Sequence, residues 1–129
     1  AYYASSRLEG GLGPGPWAAS AGVAPDKVEQ AIDSIRHEIR RIQEEPVAAE
    51  ELADSQAYRT GSLPMSLETN SGLVDTITDM ELYGLGLDYL YTYTPTIQAI
   101  TPERIQAAAR RYLSADDLVI AVAGPLEAR

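Results

Sequence analysis

Val28, Ile32, Ile35, Ile39 and Ile42 recur at spacings of four, three, four and three between Pro25 and Pro46. At about 100° per residue this spacing puts all five side chains in one stripe, so the segment is a helix with a single apolar face to bury. Pro25 suits the first turn, where its missing N–H has no partner to lose, and Asp26 and Glu29 lie near the positive end of the helix dipole. Arg40 with Glu44 and Arg41 with Glu45 are oppositely charged pairs four residues apart on the other faces. Pro46 stops the helix.

A one-faced helix needs a layer to cover, and the flanking segments supply candidates for it. Residues 1–9 (AYYASSRLE) are compatible with a strand. Gly10 to Pro16 hold four Gly and two Pro in seven residues, too flexible and too poor in donors for regular structure, and read as a long hairpin loop. Trp17 to Val23 is small and apolar, a second strand antiparallel to the first.

Downstream, a second helix begins near Ala48 with Glu50 and Glu51 in its first turn and runs to about Leu63, where Pro64 ends or kinks it. Ser66 to Ser71 is a polar bend. Leu73, Val74, Ile77, Met80 and Tyr83 then restore helical spacing until Gly84 and Gly86 close the element. Leu87 to Tyr93 is a short helical stretch ended by Pro95. Thr101-Pro102 is an N-cap followed by proline, and Ile105, Ala108, Ala109 and Tyr112 form the buried face of the helix it starts. Leu118 to Ala123 (LVIAVA) is a continuous apolar run that reads as a central strand, terminated by Gly124-Pro125. The order is β-β-α-α-α-α-β, an α+β fold with an antiparallel sheet covered on one face by helices. One domain spans residues 1–125, and 126–129 are a tail.

Composition narrows the chemistry. Nineteen Asp and Glu against ten Lys and Arg give a net charge of −9, which repels nucleic acid and anionic membranes. No run approaches the roughly 20 apolar residues of a membrane span. Cysteine is absent and there is one His, so disulfides, thiol catalysis and a multi-His metal site within this chain are excluded.

That histidine, His37, precedes Glu38 in HEIRR. A His-Glu-x-x-His zinc helix needs a second His where Arg41 stands, and the inverted His-x-x-Glu-His needs Glu and His in place of Arg40 and Arg41. Both fail, which leaves a surface His on an amphipathic helix. The Gly10–Gly15 loop lacks a Lys-Ser/Thr and does not lead directly into a helix N-terminus, so it is a turn rather than a phosphate cradle. The serines have no Gly-x-Ser-x-Gly context. Asp75 and Asp79 share a helix face, read as a solvated acidic surface. Eight Tyr and no Phe are unusual, and Tyr83, Tyr89, Tyr91 and Tyr93 cluster about the Gly84–Gly86 turn as amphipathic packing.

The ordered succession of segments says more than any one of them. AYYASS, GLGPGPW with SAGVAPDKVEQAI, EEPVAAEELADSQAYRTGSLPMSLETNSGL, ELYGLGLDYL and ITPERIQAAARRYLSADDLVIAVAGP together resemble the pitrilysin/insulinase-type (inverzincin) zinc peptidase family. The likeness points toward bacterial relatives of the mitochondrial processing peptidase and covers residues 1–125. In that family two similar α+β domains face each other around a chamber. One carries the inverted zinc motif. The other has no zinc ligands and supplies an Arg and a Tyr that hydrogen-bond the substrate near the scissile bond. Their stretch reads approximately Leu-Arg-x-x-x-Gly-Leu-Ala-Tyr, and Ala1-Tyr2 matches its end.

The resemblance therefore implies the C-terminal, non-zinc domain, in a copy lacking its first strand or strands, with Tyr2 as the substrate-binding and transition-state residue. Tyr3 is the alternative, one register off. The accompanying Arg would lie upstream of residue 1. No catalytic residue and no cofactor are expected in this chain; zinc belongs to a catalytic partner domain, in the same chain or another, and the substrate is a peptide. An uncovered edge at Tyr2–Glu9 would also allow self-association. The family implies two functional readings: a partner domain of an active endopeptidase, or a structural subunit that has lost catalysis. The compartment is open between cytoplasm and periplasm. Zinc uptake by dialysed chain should be negligible; tight stoichiometric zinc by atomic absorption would contradict the motif reading.

Overall fold

The structure, a computed structural model, describes residues 1–125, which form two compact units: Ala1–Glu45 with residues 108–125, and Pro46–Ala107. Strand β1 (Tyr3–Leu8) and strand β2 (Trp17–Gly22) lead into a 3-10 turn at Pro25–Lys27. Five α-helices follow: α1 (Val28–Glu44), α2 (Ala49–Ser66), α3 (Asn70–Leu82), α4 (Tyr89–Gln98) and α5 (Pro102–Tyr112). The α+β class stands. The helices number five rather than four, because Tyr89–Gln98 is a full element.

In the first unit β1 and β2 pair antiparallel from Tyr3↔Gly22 to Leu8↔Trp17. The Glu9 N–H donates to the Pro16 carbonyl at 3.1 Å and closes the glycine-rich loop. A Cβ on Gly15 would lie 1.6 Å from the Glu9 carbonyl oxygen, so only glycine lets the two chain arms approach there. Every residue of β1 is exposed, whereas Trp17, Ala19, Ala21 and Gly22 of β2 are half-buried.

The α1 stripe turns inward as its spacing requires: Ile39 is buried, and Val28, Ile32, Ile35 and Ile42 are half-buried. The flanking charges pair differently from expectation. Arg41 meets Glu38 on the preceding turn, and Arg40 reaches Asp116 at 2.8 Å. Glu45 has left the helix for an extended conformation, which removes it from Arg41's face.

The C-terminal end of α5 is tied to α1. Gln43 Nε2 donates to the Leu113 carbonyl at 2.8 Å and to the Ala109 carbonyl at 3.4 Å, while Arg110 Nε donates to the Gln43 carbonyl at 2.7 Å. Ala109 and Ala115 join Ile39 as the buried residues. Ala108 and Tyr112, expected on the buried face of α5, point outward; Tyr112 instead carries the Arg111 guanidinium 5.0 Å from its ring centre.

Leu118–Ala123 is not a strand. Among the described residues the sheet has two strands, and no backbone hydrogen bond joins this segment to a neighbour. A strand exists only through the backbone of its partner, and apolar composition cannot replace the ladder. Val119 is fully exposed as a result.

In the second unit Pro64 and Pro95 lie inside helices instead of ending them. Pro64 falls in the last turn of α2, so the helix loses one N–H bond and continues to Ser66. Thr69 starts α3 by accepting from the Gly72 N–H at 3.0 Å. A Cβ on Gly72 would lie 1.7 Å from the Ser66 carbonyl oxygen, so the α2–α3 corner closes only on glycine.

Helix α3 ends in a paired cap: Gly84 at φ +60° donates to the Glu81 carbonyl and Leu85 to the Met80 carbonyl. Helix α2 packs on α4, and Gln56 Nε2 donates to the Ile97 and Ile100 carbonyls, each at 3.0 Å. Thr101 caps α5, and its hydroxyl, with the residue's own backbone N–H, holds the Glu103 carboxyl below the usual carboxylate range. No residue between 46 and 107 is buried. With so little core, Gln56→Leu should destabilise this unit by about 1–2 kcal/mol, the scale of carbonyls left without donors. Urea denaturation followed at 222 nm checks this, and an unchanged midpoint would contradict it.

Candidate functional site

Two adjacent tyrosines open the hairpin, and strand alternation sends their side chains to opposite faces. The Tyr2 N–H donates to the Gly22 carbonyl at 2.7 Å, which fixes its backbone at the end of the ladder. The residue is 84% exposed. Tyr3 sits directly across from Gly22 and lays its ring over that residue: a Cβ there would come within 2.3 Å of Tyr3 Cε1. Tyr3, itself 61% exposed, rests one ring face on Gly22, while the more exposed Tyr2 presents its phenol to donate or accept a hydrogen bond.

The other candidates stay apart from it. His37 is exposed on α1, and its neighbour Glu38 is engaged by Arg41. Among the described residues no three His, Cys, Asp or Glu side chains are grouped to hold a metal ion. Arg7, the nearest arginine along β1, is ion-paired with Glu9 at 2.7 Å. Asp75 and Asp79 remain on α3. Tyr89 and Tyr93 meet edge to face at 5.8 Å, and the Tyr89 phenol titrates above its ordinary value, first through burial, then through Tyr93 and Asp79. That pair behaves as packing.

A feature with no counterpart in the sequence reading is a cleft of about 690 Å³ in the first unit. One wall is the whole of β2, the other is residues 117–123, and Val28, Ile32 and Ile35 of α1 line it as well. Among the described residues, neither wall has a backbone hydrogen-bonding neighbour on the cleft side. The only sequence signal for it is the run of small residues Ala18, Ala19 and Ala21, which leaves β2 open.

Residues 1–58 match a family model described as the peptidase M16 inactive domain. Over that stretch the resemblance to the pitrilysin/insulinase-type peptidases, in their non-zinc domain, is borne out. Neither the curated proteins nor the solved structures gave a match. The separate settings of the two tyrosines yield a check: Gly22→Val should shift the Tyr3 ring resonances in NMR spectra and leave those of Tyr2 unchanged. Equal shifts of both rings would contradict the packing of Tyr3 on Gly22.

Proposed function

We propose that this chain, which carries the peptidase M16 inactive domain over residues 1–58, forms chamber wall and substrate contacts beside a zinc-bearing catalytic domain of a metalloendopeptidase. The inactive-domain match is the observation that carries this reading. The residues agree with it: the one histidine is followed by Glu38 and then by Arg40 and Arg41, which cannot complete either zinc motif. A zinc held by the partner domain would supply water activation and polarisation of the scissile carbonyl.

Tyr2 is the residue of this chain assigned to the peptide. A carbonyl under attack gains negative charge on oxygen, and a phenolic O–H aimed at it stabilises that charge more than the ground state. The exposed ring, anchored at its backbone by Gly22, supports the assignment, and the packed ring of Tyr3 is less suited to it. The same reading accounts for the cleft. An extended segment of the partner polypeptide, entering between β2 and residues 117–123, would satisfy both walls and cover the α1 stripe. The outer edge of β1 is then where a second copy could add.

In the assembled peptidase, Tyr2→Phe should lower kcat by about 10²–10³-fold with little change in KM, the usual cost of one lost oxyanion donor. Wild-type kcat in that variant would remove Tyr2 from the site. The chain assayed alone should release no product from a quenched-fluorescence peptide.

A further inference from the structure

Helix α3 lies outside the matched residues and presents most of its apolar side chains to solvent. Its half-buried positions are Gly72, Thr76 and Met80, four residues apart. The Thr76 hydroxyl donates to the Gly72 carbonyl at 2.7 Å, so this inward face carries its polar group without an unmet hydrogen bond. Leu73, Val74 and Ile77 face outward at 43%, 60% and 55% exposure, and Leu82 and Leu85 extend the apolar surface past the helix end. Single exposed apolar residues are ordinary, but a contiguous group on one helix calls for something to cover it.

Charge bears on which partner would fit it. Residues 46–107 hold nine Asp and Glu against only Arg59 and Arg104, so this unit carries most of the chain's net negative charge. Asp75, Asp79 and Glu81 stand on α3 itself, and among the described residues none of them takes part in an ion pair. A second copy meeting this face with the same face would oppose like charges around the contact. We infer that the Leu73–Val74–Ile77 face of α3 is a docking surface for a protein partner whose apposed face is apolar at its centre and rimmed by Lys and Arg.

Apolar contact supplies the attraction in such a complex, and the carboxylates steer and orient it, so binding weakens with salt. The probe is a synthetic amphipathic helix with Leu at i, i+3, i+4 and i+7 and Lys on its flanks, titrated calorimetrically into the full chain. A peptide with Glu in place of Lys is the comparison. The Lys peptide should bind and the Glu peptide should bind at least tenfold more weakly. Val74→Lys with Ile77→Lys should weaken the Lys peptide at least tenfold at unchanged circular dichroism. Asp75→Asn with Asp79→Asn, which alters charge alone, should weaken it severalfold and flatten its salt dependence. Equal affinity for the two peptides would overturn the proposal, as would wild-type affinity in either variant. So would a dimer in sedimentation that Ile77→Lys dissociates, which would assign the face to a second copy.

Discussion

The last carbonyls of a helix have no N–H of their own helix to accept, and in each unit a glutamine from another helix meets them. Gln43 of α1 reaches the end of α5 at Ala109 and Leu113; Gln56 of α2 reaches the end of α4 at Ile97 and Ile100. These contacts matter because the alternative source of stability is small. Only Ile39, Ala109 and Ala115 are buried hydrophobic residues among those described. A fully buried isoleucine contributes about 1.5–3 kcal/mol, and an alanine far less, so capping bonds of about 1 kcal/mol each are not minor here. Arg110 returning to the Gln43 carbonyl, and Arg40 to Asp116, add to the same seam between α1 and the α5 end.

A structure held this way leaves three surfaces open. The β1 edge is exposed along its length, the cleft beside β2 has unpaired backbone on two walls, and α3 turns its leucine, valine and isoleucine outward. The Tyr2 backbone is fixed by the hairpin, while the residue itself is 84% exposed.

How much of this was legible depended on how local its cause was. The α1 stripe, its proline limits, the glycine-rich hairpin loop and the Gly84 cap follow from spacing and backbone freedom within a few residues, and each appears as read. Thr101-Pro102 likewise starts α5. The readings that failed turned on distant partners. Arg40 chose Asp116 over Glu44, and Leu118–Ala123 has strand composition without a strand beside it. Pro64 and Pro95 were read as stops, but one lost N–H is tolerated where packing holds the helix. Nothing in the sequence marked Gln43 or Gln56, because a glutamine becomes a cap only when another helix end is placed within reach. Tyr2 was singled out only through family likeness, and the difference between its setting and that of Tyr3, whose ring lies on Gly22, came from the structure.

The sequence by itself determined the hairpin and most of the helices, since periodicity and turn residues act locally. Tertiary structure decided which face of each element is covered. Leu73, Val74 and Ile77 are apolar at helical spacing and still stand in solvent, because burial depends on what the chain brings against a face, not on the face alone.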